Sequence, residues 1–210
     1  ILASLALEAG LIKERIFVAL VVMALLTSLI SGPAMKRLLY REKEEDVVAL
    51  LRRGGFVARL QATSSVHAVA ELVRALAPVL GDKTQIALAS VLERESVAPT
   101  GLGDEVAVPH AAVEGLERPV LALGLAPDGI DFDAPDGKPA KIIFLLLLRP
   151  GGYEEEVQVL ASIARAVIDA GGRDELLAAT NADAILEVLA TSARRTAASR
   201  GGTRAPLADI

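Results

Sequence analysis

Hydrophobic positions recur in three different rhythms along the chain, and each rhythm predicts a different kind of element. From Ile16 to Ile30 the run IFVALVVMALLTSLI carries no charge. It is about 15 residues, or roughly 22 Å of helix at about 1.5 Å per residue. Ser31 to Met35 extend it before Lys36 and Arg37. A bilayer core of about 30 Å asks for nearer 20 residues, so a transmembrane helix is predicted over about residues 16–35. The other reading is the buried helix of a soluble domain; a helix apolar on every side needs cover all round, which favours the membrane. Thr27 and Ser28 suit a membrane helix because their hydroxyls bond to the backbone one turn back. Lys13, Glu14 and Arg15 close one end, and Lys36, Arg37, Arg41 and Lys43 follow the other. By the positive-inside rule the chain from about residue 41 is expected in the cytoplasm.

The second rhythm is helical and one-sided. REKEEDVVALLRRGG, residues 41–55, predicts a short amphipathic linker helix with Val47, Val48, Leu50 and Leu51 on one face and Gly54-Gly55 as its stop. Thr63 or Ser64 can cap a helix running to Leu80. Val66, Val69, Leu72, Val73 and Leu76 fall on its buried face, and Pro78 lies near its end. A further helix is expected from about Lys83 to Glu95, with Ile86, Leu88, Val91 and Leu92 turned inward. Helices are also expected over 155–170, 173–179 and 182–189.

The third rhythm belongs to strands. Residues 57–60, 106–108, 120–125 and 142–148 read as strands between turns marked by Gly, Pro and Asp. IIFLLLL is short, apolar and continuous, as a central strand buried on both faces should be. Strand, helices, several strands and more helices predict an α/β fold, a mixed sheet covered by helices on both faces. The expected organisation is an apolar membrane segment over 1–40, a linker helix over 41–55, a cytosolic domain over 56–190 and a disordered tail over 191–210, rich in Ala, Ser, Thr, Arg and Gly. The chain starts at Ile1 and not at Met, so it reads as a piece of a longer protein or a processed product.

Composition narrows the chemistry. With no Cys there is no disulfide framework and no cysteinyl metal site. His67 and His110 are too few for a His-rich centre, and no carboxylate spacing suggests a mixed one, so no metal and no cofactor is expected. The net charge of −5 disfavours nucleic acid, whose phosphates ask for a basic stripe.

The informative stretch is LERESVAPTGLGDEVAVPHA, residues 92–111. Pro109 restricts the backbone before His110 to extended or turn geometry, which aims the imidazole from a strand end. A neutral imidazole nitrogen is a nucleophile at neutral pH. A phosphoryl group on it needs donors for three oxygens, so positioning and electrostatics carry the chemistry. Arg94 offers a planar fork of donors, Gly101 and Gly103 allow backbone N–H groups to approach, and Thr100 offers a hydroxyl. Each has an ordinary alternative: a His after Pro is commonly a surface or satisfied core residue, an Arg at a helix C-terminus complements the dipole, and a Gly-x-Gly alone is a weak signal. His67, among apolar residues early in a helix, reads as an ordinary surface residue.

The segment LEREsvaPTGLGdeVAVPHa resembles the active-site segment of the mannitol/fructose class of phosphotransferase enzyme IIA domains, which includes the nitrogen-related regulatory proteins. An Arg between acidic residues, a Thr-Gly-hydrophobic-Gly turn and a hydrophobic-Ala-hydrophobic-Pro-His ending carry the likeness. Downstream, IDFDAPDGKPAKIIFLLLLRP is similar to the family's acidic turn and central strand. The resemblance implies phosphorylation of His110 by a phosphocarrier protein, with Arg94 stabilising the phosphoryl group. Two positions depart from the pattern. Ala111 stands where the family usually has Gly, and Glu156 stands where it often has a second active-site His. A carboxylate there repels a phosphoryl group unless Arg94 or a proton offsets it.

The earlier stretch also resembles a known family. Glu8-Ala9-Gly10-Leu11-Ile12, Phe17 to Thr27 and Pro33 are similar to the last transmembrane helices of Kef-type monovalent cation:proton antiporters. That implies a transporter domain of the same chain as partner, an inner or plasma membrane location and possible homodimers. Three functions follow as alternatives. The first is a regulatory phosphotransfer domain modulating cation transport through His110. The second is a small-molecule sensor in which Glu156, Arg94 and the loop bind a nucleotide or other anion without covalent chemistry. The third is a purely structural or dimerising module. A sugar phosphotransferase component is a further alternative.

Overall fold

The computed structural model describes residues 9–10, 13–39, 47–57, 59–167 and 170–201. Most of the apolar piece before Lys13, the charged start of the linker over 41–46 and the tail over 202–210 lie outside the described residues. The chain divides into two units, Ile1–Glu44 and Glu45–Ile210.

Among the described residues the first unit contains one helix, α1, Glu14–Leu39. Within it, Glu14–Gly32 is 19 residues with a mean hydropathy of 2.1, and none of it is buried. Leu29 and Ile30 are 71% and 62% exposed, so among the described residues nothing covers this surface. The Thr27 hydroxyl donates to the carbonyls of Met23 and Ala24 at 2.9 and 3.0 Å, and Ser31 donates to Thr27. Such back-bonding lets hydroxyls sit on a helix with no water to bind.

The second unit is a mixed sheet between two helical layers. Its elements are α2 (Val47–Leu51), β1 (Gly55–Val57), α3 (Ser65–Ala75), α4 (Ala77–Leu80), α5 (Thr84–Val97), β2 (Gly101–Gly103), β3 (Val106–Ala107), β4 (His110–Ala112), β5 (Val120–Ile130), β6 (Ala140–Leu148), α6 (Tyr153–Val167), α7 (Ala170–Ala178) and α8 (Ala182–Gly201). The strand order is β1-β5-β6-β3-β2, with β4 also on β6. β5 and β6 are antiparallel, while β1 runs parallel to β5 and both β3 and β4 run parallel to β6.

The continuous run in β6 is explained by burial on both faces. Ile143, Leu145 and Leu147 pack with Val69, Leu72, Leu76 and Val91 of one helical layer. Ile142, Phe144, Leu146 and Leu148 pack with Leu50, Val159, Ile163 and Leu189 of the other. The period of two sends alternate residues to opposite layers.

Four expectations are corrected. The predicted helix to Leu80 breaks at Leu76, because Pro78 has no N–H and its ring crowds the carbonyl one turn back. Ser64 is its N-cap, accepting from the His67 backbone N–H. Val66 and Ile86 are exposed, since Ala68, Val69, Leu72 and Val73 define one buried stripe and Ala87 and Val91 the other. Residues 47–55 belong to the domain and are not a free linker. α2 is too short to stand alone, and Val47 and Leu50 are buried against the sheet. The tail expected from residue 191 is helical to Gly201, with Ser192 buried. Alanine and arginine in this stretch are strong helix formers, a preference that low hydrophobicity masked.

Candidate functional site

β3 and β4 are one line of chain broken by a proline. Val106 faces Ile142 and His110 faces Leu146 at the same offset along β6, but Pro109 has no N–H with which to continue the ladder. The Val108 carbonyl instead accepts from the His110 ring, with Nδ1 at 2.8 Å. A carbonyl only accepts, so Nδ1 carries the proton and Nε2 of the neutral ring has its lone pair outward.

The backbone that holds this carbonyl is itself tied down. The Val108 N–H donates to the Thr100 carbonyl at 3.0 Å. Thr100 is buried. Its N–H and hydroxyl both donate to the Glu95 carboxylate, at 3.1 and 2.6 Å. Glu95 thus pins the turn after α5. Its neighbour Arg94 faces the other way, donating from one guanidinium nitrogen to the Ala98 carbonyl at 3.0 Å.

His110 and Arg94 line a cleft of roughly 540 Å³ with Glu93, Arg149, Tyr153 and Glu156 among its walls. The cleft opens at the C-terminal end of β6, the edge of an α/β sheet where crevices commonly form. Arg149 ends that strand and makes a two-pronged pair with Glu155, with contacts of 2.6 to 3.1 Å. Gly151, at φ +79°, then turns the chain into α6. Glu156, in the first turn of α6, brings Oε1 to 3.6 Å from His110 Nε2. At that distance it is not a hydrogen bond, and it is an ion pair only when the ring is protonated.

The structure therefore brings together His110, Arg94 and Glu156. It does not bring Thr100, Gly101 or Gly103 to the cleft. Thr100 has both of its donors engaged by Glu95. Gly101 donates its N–H to Phe132 at 3.2 Å, and Gly101–Gly103 forms a sheet edge with β3. Beside Gly103, Asp136 accepts from the N–H groups of Asp104 and Lys138 at 2.9 and 3.2 Å, and these bonds hold its carboxyl below its usual range. Sequence reasoning missed Arg149. Its signal was its place, as the charged residue ending the apolar run just before Pro150. Among the described residues no group of three or more His, Cys, Asp and Glu side chains could hold a metal ion.

Residues 49–192 match the family described as the phosphoenolpyruvate-dependent sugar phosphotransferase system, EIIA 2. The chain belongs to this family. Among relatives of this EIIA domain, a PTS system fructose-specific EIIA component of Haloferax volcanii is 38% identical over 109 residues, covering 52% of this chain and 71% of that protein. A nitrogen regulatory protein of Bradyrhizobium diazoefficiens is 33% identical over 131 residues, covering 62% and 86%. The crystal structure of nitrogen regulatory protein IIA-Ntr from Neisseria meningitidis superposes with a TM-score of 0.63 at 26% identity, covering 68% of this chain and 98% of that one. The EIIA domain is thus a phosphotransfer or regulatory domain, and its mixed sheet with helices is the family's fold.

Proposed function

We propose that His110 accepts a phosphoryl group on Nε2 from a phosphocarrier protein, and that the phosphorylated domain regulates a monovalent cation:proton antiporter of the Kef type in the same chain. The observation that carries the phosphotransfer reading is the Nδ1–Val108 carbonyl bond, which leaves Nε2 as the nucleophile facing a cleft lined by two arginines. In the transfer, the P–N bond of the donor phosphohistidine breaks as the Nε2–P bond forms. The donor imidazole leaves with the electron pair. The His110 ring becomes cationic and keeps its proton on Nδ1, donated to the Val108 carbonyl. Arg94 and Arg149 line the cleft that receives the transferred oxygens.

The transporter part rests on α1, which is long and apolar enough to span a bilayer, and on the basic residues that follow it. These favour an inner or plasma membrane location with the EIIA domain in the cytoplasm. Two observations favour other readings. Glu156 beside Nε2 suits a sensor for a small anionic ligand that also carries a donor group. The likeness to a fructose-specific component suits a sugar phosphotransferase role.

The test is intact-mass spectrometry of the full chain in detergent, incubated with phosphoenolpyruvate, enzyme I and phosphocarrier protein. An acid-labile gain of one phosphoryl mass, absent in His110→Ala, is expected. No gain, with a control EIIA domain labelled in the same mixture, leaves the sensor reading in its place.

A further inference from the structure

The charged groups lining the cleft are balanced before any phosphoryl group arrives. Two arginines, Arg94 and Arg149, face two glutamates, Glu93 and Glu156. Arg149 is moreover clamped by both oxygens of Glu155. Glu156 is the carboxylate that matters most, because its Oε1 lies 3.6 Å from the accepting nitrogen. A phosphoryl group bonded to Nε2 projects its oxygens into the space that this carboxylate occupies. The two are also of like charge, and a like charge at such range disfavours the second ionised group. The backbone of Glu156 is held at this wall of the cleft. It sits in the first turn of α6, where the exposed N–H groups favour a negative side chain, and its own N–H is bonded to Gly152 at 2.9 Å.

We propose that Glu156 is an electrostatic brake on His110, one that lowers phosphoryl occupancy and keeps any phosphoryl group easily returned to its donor. The domain then fills only when the phosphorylated fraction of the carrier is high, and empties as soon as that fraction falls. This rests on the phosphotransfer reading above. Glu156 acts here as a positioning and charge-setting residue. The chemistry of transfer is unchanged, with the phosphoryl group moving between two imidazoles.

The experiment measures the equilibrium constant for transfer between phosphocarrier and the full chain, by titrating the ratio of phosphorylated to free carrier and reading label on His110. Glu156→Gln, which keeps the shape and removes the charge, should raise that constant by about tenfold or more. Glu156→Asp should stay near the wild-type value. In the unaltered chain occupancy should rise with added salt, because salt screens repulsion between part-exposed charges, and in Glu156→Gln it should not. The salt series needs no variant and so stands even if Glu156→Gln folds poorly. Equal constants in wild type and Glu156→Gln, with His110 labelled in both, overturn the brake and leave phosphotransfer intact. No label in either, with the carrier active on a control domain, overturns both.

Discussion

Two glycine-bearing stretches of the domain, strand β2 (Gly101–Gly103) and the Gly151-Gly152 turn after β6, use glycine to opposite ends at Gly101 and Gly151. The first is closed against other chain. A Cβ on Gly101 would stand 2.6 Å from the Phe132 carbonyl oxygen and 2.8 Å from the Ala134 Cα. The second is open. A Cβ on Gly151 would meet nothing within 4 Å, and its demand is conformational, a φ of +79° at the wall of the cleft. A glycine-rich stretch near a candidate nucleophile is therefore no guide by itself to where an anion binds. Gly101 is needed for packing and Gly151 for direction, and Gly151 lies at the cleft.

The sharpest way to break this comparison is Gly101→Ala. Backbone must move to admit the methyl, so stability should fall by about 2–3 kcal/mol and the melting temperature by roughly 5–10 °C. Labelling of His110 per folded molecule should stay near normal. A normal melt with lost labelling would reverse the assignment of the two glycines. Gly151→Ala should give the opposite pattern. Left-handed backbone costs an alanine about 1 kcal/mol, a small shift in a thermal melt, while the labelling rate should drop severalfold as the cleft wall moves. The smallest effect is expected from Asp136→Asn, which loosens the turn that follows Gly103. The carboxyl of Asp136 is held below its usual range by the N–H groups of Asp104 and Lys138. A depressed native pKa stabilises the fold above the unfolded-state carboxylate range near 3.9, and that contribution is lost as pH falls through the lower native value. Wild type should therefore be the more stable at neutral pH, and the difference should shrink in urea melts taken below about pH 4.

Much of the domain was legible because burial writes itself into sequence. The apolar run of β6 has to be central, and its alternation between two helical layers follows from the pleat. That His110 and Arg94 share one cleft was legible too, through the proline and the helix end that place them. What was hidden depends on who meets whom across the fold. Thr100 has the right chemistry for an anion, yet Glu95, five residues earlier, takes both its donors. Arg149 shows no local motif, and only the parallel pairing of β4 on β6 brings it to the same cleft. The helix running to Gly201 was hidden for another reason: propensity favoured it, while the expected lack of burial argued against it.

The bond from the His110 ring to the Val108 carbonyl has one more consequence. In many sites a histidine is oriented by another side chain, and a single substitution can redirect it. Here the orienting group is a peptide unit, present whatever residue occupies position 108, and fixed by a proline next door and by Thr100 behind. The choice of reactive nitrogen is thereby insulated from sequence drift around the cleft. On the phosphotransfer proposed above, neighbours such as Glu156 are left at liberty to vary, and with them how tightly a phosphoryl group would be kept, without altering which atom would receive it.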